Sequence, residues 1–325
     1  MRFFTLAVAV APFALGCSSS SASATSGGPD ASAHLTDAAG PADGSDAIAD
    51  AGAPEAGPDA AAILAARPYT LHVPPGYQAG QPTPLLFMFH GYGASGSEEE
   101  TYLDLTAISD DNGFLYAYGD GTLDKTYSRF WNATNACCDI YDVPVDDVQY
   151  FDVMLADIQS KYDVDPKRIY VMGHSNGGFM SHRLACDRAS TVAAILSLEG
   201  AQWLDISNCH PSRAVPVVEV HGTADVTIYW DGGATMEGTY PSAPITVSDW
   251  ALRNGCTGAI GPNGTTYDLE STLPGNETTV EAYTGCPAGA DVQLWVVDGG
   301  SHIPTLTRPG FGDALWGFMS THAQP

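Results

Sequence analysis

A chain of 325 residues with 44% hydrophobic and 10% aromatic side chains has enough apolar mass for a large buried core, which excludes disorder throughout. Twelve basic side chains against 38 acidic ones give a formal charge of -26, a field that repels phosphate backbones and anionic headgroups, so nucleic acid is excluded as a partner. The one apolar run long enough to weigh as a membrane segment, Phe3 to Gly16, is too short to cross a bilayer of roughly 30 Å as a helix.

Residues 1–16 have the layout of a secretory signal: Arg2, a short apolar stretch, then small residues before a cysteine. Ala14-Leu15-Gly16-Cys17 resembles a bacterial lipoprotein box, which implies cleavage before Cys17, a lipid on that residue, and membrane contact only through this anchor. A plain secretory signal is the alternative. Residues 17–61 are almost entirely Ser, Ala, Gly, Pro, Thr and Asp, without Phe, Trp, Tyr, Lys or Arg, and read as a disordered tether. Setting aside the seven acids of that stretch and Arg2 leaves 31 acids against 11 bases, so the remainder is still strongly acidic at -20. Residues 62–325 are expected to form a single catalytic domain.

Within that domain, short apolar runs recur at Tyr69–Val73, Leu85–His90, Phe114–Tyr118, Arg168–Gly173, Val192–Leu198, Val215–His221 and Val292–Val297. Several are nearly continuous in Val, Ile, Leu, Phe and Tyr, as strands buried on both faces require. Helical patterns alternate with them, most clearly Asp147–Tyr162, where Val148, Phe151, Met154, Leu155 and Ile158 share one stripe. Others are Gly177–Asp187, Val247–Asn254 and Gly312–His322. The alternation predicts an α/β fold with a doubly wound, mostly parallel sheet whose site lies at the carboxyl ends of strands. Glu98-Glu99-Glu100 reads as a solvated helix start, and Asp110-Asp111-Asn112-Gly113 as a turn.

Besides Cys17 the chain has Cys137, Cys138, Cys186, Cys209, Cys256 and Cys286, an even set suited to an oxidising compartment. Three disulfides are expected, Cys256 to Cys286 being the most local pair. No CxxC spacing is present, and adjacent cysteines are awkward joint ligands of one tetrahedral ion, so no metal is expected.

The chemistry concentrates at Gly173-His174-Ser175-Asn176-Gly177-Gly178, directly after an apolar strand and before a helical stretch. Gly-x-Ser-x-Gly alone is a weak signal; a strand-to-helix turn around it is what a nucleophile elbow demands, because the strained turn needs small neighbours. Serine is a poor nucleophile unless a histidine takes its proton and an acid orients that histidine. His302, in Asp298-Gly299-Gly300-Ser301-His302 after the Val292–Val297 run, is the expected base. Asp225, in His221-Gly222-Thr223-Ala224-Asp225 after an earlier strand, is the expected acid, with Asp231 in reserve and His221 structural. The expected oxyanion donors are the backbone N–H of Asn176 and that of Tyr92 in His90-Gly91-Tyr92-Gly93.

These residues, with Phe130-Trp131-Asn132-Ala133, Ala136-Cys137-Cys138, Asp165-Pro166-Lys167-Arg168-Ile169-Tyr170, Arg183-Leu184-Ala185-Cys186, Trp250-Ala251 and Asn254-Gly255-Cys256, resemble the polyhydroxybutyrate depolymerase-type esterases of the α/β-hydrolase fold. That group also holds many secreted feruloyl and acetylxylan esterases. The resemblance runs from about residue 67 to the end, and Ser175, Asp225 and His302 coincide with its triad. It implies that Cys137 and Cys138 bond, in either order, to Cys186 and Cys209, bracing the Trp131 loop. One departure is His302-Ile303-Pro304, where many relatives carry a Trp-Pro-Gly stretch, so the pocket wall beside the base differs.

The expectation is therefore an exported serine carboxylesterase, lipid-anchored to the cell envelope or secreted. It hydrolyses feruloyl-type (hydroxycinnamate) or related plant polysaccharide esters through an acyl-enzyme, as a monomer without a cofactor. Tyr92, Trp131, Tyr229 and Trp230 are the expected substrate pocket. Polyhydroxybutyrate or 3-hydroxyacid oligomers are the second substrate class. A non-catalytic polymer-binding surface lipoprotein is disfavoured, because binding alone gives no reason to carry all three triad roles in order.

Overall fold

The computed structural model describes residues 58–325. The signal, Cys17 and nearly all of the tether lie outside them. The described chain opens on α1 (Pro58–Ala66), which begins inside the last residues assigned to the tether. Composition grouped those alanines with the spacer, but Ala and Leu are strong helix formers, and Pro58 with Asp59 suits a helix start.

The chain continues through β1 (Tyr69–His72), β2 (Thr83–Phe89), α2 (Gly96–Leu103), α3 (Leu105–Asn112) and β3 (Leu115–Gly119). A small hairpin of β4 (Thr122–Leu123) and β5 (Arg129–Phe130) precedes α4 (Asp147–Gln159), β6 (Val164–His174), α5 (Asn176–Asp187), β7 (Ala194–Leu198) and β8 (Val217–Gly222). A second hairpin, β9 (Gly233–Ala234) and β10 (Thr239–Tyr240), leads to α6 (Ala243–Arg253), β11 (Ile260–Tyr267), β12 (Thr278–Tyr283), β13 (Val292–Val297) and α7 (Gly310–Met319).

One nine-stranded sheet has the order β1-β3-β2-β6-β7-β8-β13-β12-β11. From β3 to β13 neighbouring strands are parallel, and antiparallel partners close both edges. This is the α/β-hydrolase arrangement. Alternate side chains leave opposite faces, so Leu85, Phe87 and Phe89 join the core under α4, α5 and α6, while Leu86 and Met88 join the core under α3 and α7. The strands β11 and β12 escaped the sequence reading because Gly261-Pro262-Asn263-Gly264 reads as a turn and both are half exposed, without the continuous apolar run of a central strand.

The connectivity runs from β2 to β3 on one side and from β6 through β7 and β8 to β13 on the other. The switch point therefore lies between β2 and β6, and the loops leaving the carboxyl ends of β2, β6, β7, β8 and β13 converge there.

Candidate active site

Ser175 follows β6 and caps α5 with φ 54° and ψ -117°, a conformation sparsely populated for a residue with a side chain. Close approach makes the turn possible. A side chain at Gly177 would meet the Phe89 carbonyl, and one at Gly173 would meet the Gly177 carbonyl. The Ser175 amide donates to the Leu198 carbonyl at 2.7 Å, tying the elbow to β7.

His302 Nε2 lies 2.9 Å from Ser175 Oγ, and His302 Nδ1 lies 2.7 Å from Asp225 Oδ2. Asp225 Oδ1 accepts from the amides of Thr227 and Ile228 at 2.7 and 3.0 Å, which fixes the carboxylate's other end. Burial pushes the Asp225 carboxyl up, but the hydrogen bond from His302, the charge of that ring and the Thr227 amide outweigh it and hold the pKa below the ordinary value. Burial lowers the pKa of His302 against the raising effect of Asp225, which keeps the ring neutral and able to accept a proton. Asp231, the reserve acid, is exposed.

The loop after β2 packs on the elbow: a Cβ at Gly91 would lie 3.4 Å from His174 Nδ1 and 3.5 Å from Ser175 Cβ. The Gly91 amide is used by Glu99 Oε2 at 3.1 Å, and Glu99 Oε1 sits 3.1 Å from His174 Nδ1. Glu99 is buried at 3% exposure, which corrects its reading as part of a solvated helix start: Ser95 and Glu98 form the cap, and Glu99 turns inward. His174 Nε2 in turn bonds the His302 carbonyl at 2.9 Å, so Glu99 braces both the elbow and the histidine loop. Burial disfavours a charged His174, yet Glu99 beside it holds its pKa above the ordinary value. Asn176 and Tyr92, the expected oxyanion donors, thus follow directly on Ser175 and on a glycine packed against it. The Tyr92 hydroxyl donates to Asp124 Oδ2.

Behind Ser175, His302 and Asp225 runs a buried polar chain. Trp250 Nε1–H donates to His182 Nδ1 at 3.0 Å, so the His182 proton is on Nε2 and goes to Glu219 Oε2 at 2.9 Å. His221 Nδ1 faces Glu219 Oε1 at 3.0 Å and its Nε2 faces the Ile228 carbonyl at 2.8 Å. Both partners are acceptors, so His221 donates from both nitrogens as an imidazolium. Its burial opposes the charge, but Glu199 and Glu219 push the pKa up to about 9. His221 Nε2 also lies 3.6 Å from Asp225 Oδ2 and 3.4 Å from Glu199 Oε2.

Over 272 residues the chain is 30% identical to feruloyl esterase D of Neurospora crassa, an alignment covering 78% of this chain and 82% of that protein. The chain belongs to the feruloyl esterase family. Feruloyl esterase B of Piromyces equi is also 30% identical, over 260 residues, and there the chain spans 44% of the relative's length. The acetyl xylan esterase from Aspergillus awamori shares the fold, with a TM-score of 0.56 at 15% identity over 78% of this chain and 94% of that one. No family model matches the chain.

This feruloyl esterase family member departs from expectation around the pocket. Trp131 is fully buried, with its ring against Phe89 and His90 and the Arg67 guanidinium 5.5 Å above it, so it lines no open surface. Its aromatic bulk suggested a pocket wall, whereas its indole N–H donates to the His90 carbonyl at 2.9 Å and builds the core beneath the loop. Tyr92 and Tyr229 are exposed, Trp230 is half-buried with its ring 6.0 Å from that of His221, and two exposed residues were missed: Val226 beside Asp225 and Ile303 beside His302.

The disulfides are also corrected. Cys256 pairs with Cys286 as expected, but Cys137 bonds Cys138, and Cys186 bonds Cys209. The Cα atoms of Cys186 and Cys209 lie 5.5 Å apart, within normal bridging range, so the elbow helix is tied to the loop after β7 without either adjacent cysteine.

Among the described residues, Glu199, Asp225 and His302 form the only His, Cys, Asp and Glu group whose ligand-type atoms gather within 4.8 Å of one another. Two of the three are already joined in the relay to Ser175.

Proposed function

We propose that this feruloyl esterase family member is an exported serine carboxylesterase that cleaves hydroxycinnamate esters of plant polysaccharide by way of an acyl-enzyme. The observation that carries this reading is the hydrogen-bonded relay from Asp225 through His302 to Ser175, on an elbow at the start of a helix. Ser175 Oγ attacks the ester carbonyl carbon as its proton passes to His302 Nε2. The negative charge on the carbonyl oxygen is met by the backbone N–H groups of Asn176 and Tyr92, with the α5 N-terminus favouring it. The protonated His302 then gives its proton to the leaving sugar oxygen, and the C–O bond breaks. Water, deprotonated by His302, attacks the acyl-enzyme and releases the acid, restoring Ser175. Asp225 orients the ring and stabilises its charged form throughout.

Tyr92, Tyr229, Val226 and Ile303 are open apolar surface around these residues and suit a planar aromatic acyl group. Three disulfides favour an oxidising compartment. A lipid on Cys17 would tether the enzyme to a membrane.

The test is hydrolysis by the purified chain of methyl ferulate, p-nitrophenyl acetate and 3-hydroxybutyrate oligomers, with Ser175→Ala alongside. We expect methyl ferulate turnover in the parent, lost in the variant. Oligomer turnover alone would replace the acyl class with a polyester one, and activity that survives Ser175→Ala would overturn the mechanism.

A further inference from the structure

Glu199 directly follows β7, the strand lying between the elbow strand β6 and the acid strand β8, and so reaches the triad from a third direction. It is fully buried and adopts φ 54°, a left-handed backbone that a residue with a side chain enters at a cost. Its two carboxylate oxygens accept from the Gly222 amide at 2.9 and 3.1 Å, and its own amide donates to the Val220 carbonyl at 2.8 Å. One carboxylate oxygen lies within 4.8 Å of both the Asp225 carboxylate and a His302 ring nitrogen. Two acids from the turns that follow successive strands thus converge on one histidine. Packing the core requires neither a buried carboxylate here nor a strained backbone to present it.

We infer that Glu199 is a positioning acid paired with Asp225, the two carboxylates sharing one proton behind His302, so that a dyad and not a lone acid orients the catalytic base. This rests on the serine esterase reading and deepens it.

The charges around the pair decide which member holds the proton. Asp225 receives amide hydrogen bonds from Thr227 and Ile228 and the ring bond from His302, all of which favour its ionised form. Glu199 faces the imidazolium of His221 and, beyond that ring, Glu219; on its other sides stand Asp225, His302, His174 with Glu99 behind it, and Tyr102. Two buried carboxylates whose oxygens lie within 4.8 Å of each other do not both ionise readily. Burial, opposed by His221 and reinforced by Asp225, pushes Glu199 up to about 8, so it carries the shared proton at neutral pH. Above that pH the pair gains a second negative charge, which favours the imidazolium that His302 becomes as Ser175 attacks. If Asp225 loses its charge, the like-charge penalty on Glu199 disappears, and Glu199 ionises beside His302.

The test compares kcat/KM against pH for the full-length protein, Glu199→Gln, Asp225→Asn and the double variant, on the best substrate of the ester panel. In Glu199→Gln the amide oxygen can still accept from Gly222, and the amide group stands in for the protonated acid. We expect the parent to rise through an ionisation near pH 8, and Glu199→Gln to lose that step with a few-fold drop at pH 7. An amide in place of a lone triad acid costs about 10⁴-fold. We expect Asp225→Asn to lose about 10²-fold, with activity rising with pH as Glu199 ionises, and the double variant to fall the rest of the way. A Glu199→Gln profile of unchanged shape, or an Asp225→Asn loss that Glu199→Gln does not deepen, overturns the dyad. Should Glu199→Gln fail to fold, a flat pH profile for Asp225→Asn overturns it instead. Ser175→Ala is measured in parallel: activity surviving there sinks the esterase reading itself, whereas its loss together with an unchanged Glu199→Gln profile sinks only the dyad.

Discussion

Trp131 and Asn176 are joined by a reciprocal pair of hydrogen bonds: the Trp131 amide donates to Asn176 Oδ1 at 2.7 Å, and Asn176 Nδ2 donates to the Trp131 carbonyl at 2.9 Å. With the indole N–H on the His90 carbonyl, this pair clamps the residue after Ser175 to the loop that carries Tyr92. Asn176→Ala retains the backbone N–H proposed for the oxyanion but releases the clamp. Misplacing a catalytic group by about 1 Å costs on the order of 10²-fold, so kcat should fall by about 10- to 100-fold with KM nearly unchanged. The Trp131 carbonyl keeps the Cys138 amide at 3.3 Å, but the buried Trp131 amide is left unpaired, which should also lower stability by about 1–3 kcal/mol. Wild-type kcat in a stable Asn176→Ala protein would show that the clamp does not position the donor.

Trp131 and Tyr229 should separate core from pocket. Trp131→Ala empties a buried site and should destabilise the fold by about 3–5 kcal/mol, read as a lower urea midpoint. Tyr229→Ala, at a side chain with 50% exposure, should leave that midpoint nearly unchanged and raise KM for an aromatic ester. A KM effect confined to Trp131→Ala would reverse the two assignments.

Stability should fall as pH rises above neutrality, and His221 supplies the sign. Its pKa is about 9 in the fold against roughly 6.5 for a free imidazole. Below about 6.5 both states hold the proton and the stabilisation is fully present; from there to about 9 only the folded state holds it, so stability declines. Glu199, raised from 4.5 to about 8, contributes the same sign across its own interval. Asp225 is opposite: its depressed pKa gives stability that is lost on acidification. Urea midpoints between pH 5 and 9.5 should therefore decline steadily above about pH 6.5. A flat curve there would mean that neither His221 nor Glu199 holds its proton above its ordinary range in the fold. His221→Gln should destabilise by roughly 3–5 kcal/mol at pH 6, because Glu219 is left buried beside a neutral partner, and should reduce the slope.

The sheet and the hydrogen-bonded trio of Ser175, His302 and Asp225 were legible because each rests on a local signal. Central strands are apolar on both faces, the elbow needs Gly173 and Gly177, and Asp225 and His302 each follow a strand within a few residues. The remaining structure depends on partners far along the chain. Nothing near Glu99 announces that it turns inward to His174, and nothing near Glu199 places it against residues from β8 and β13. Trp131 misled for a related reason: an aromatic residue in a loop is ambiguous between pocket and core until its neighbours Phe89, His90 and Tyr150 are known. The edge strand β11 and its neighbour β12 bury too little to leave a periodic apolar trace.

Two of the disulfides should differ sharply in what their removal does. A cross-link stabilises chiefly by restricting the unfolded chain, and the restriction grows with the loop it closes. Cys186 and Cys209 are 23 residues apart and connect α5 to the segment after β7, so Cys186→Ala with Cys209→Ala should cost about 3 kcal/mol. That loss would loosen the helix on which the elbow rests. Cys137 and Cys138 are adjacent and close no loop, so replacing both with Ser restricts the unfolded chain hardly less than before. The Cys137→Ser, Cys138→Ser protein should melt within a few degrees of the parent, while the Cys186 and Cys209 pair should melt markedly lower. Had the adjacent cysteines been bridged to Cys186 and Cys209, the first substitution would remove two long-range links and be the more damaging. Thermal melts of the two double variants, with free thiols counted after denaturation, decide between the pairings.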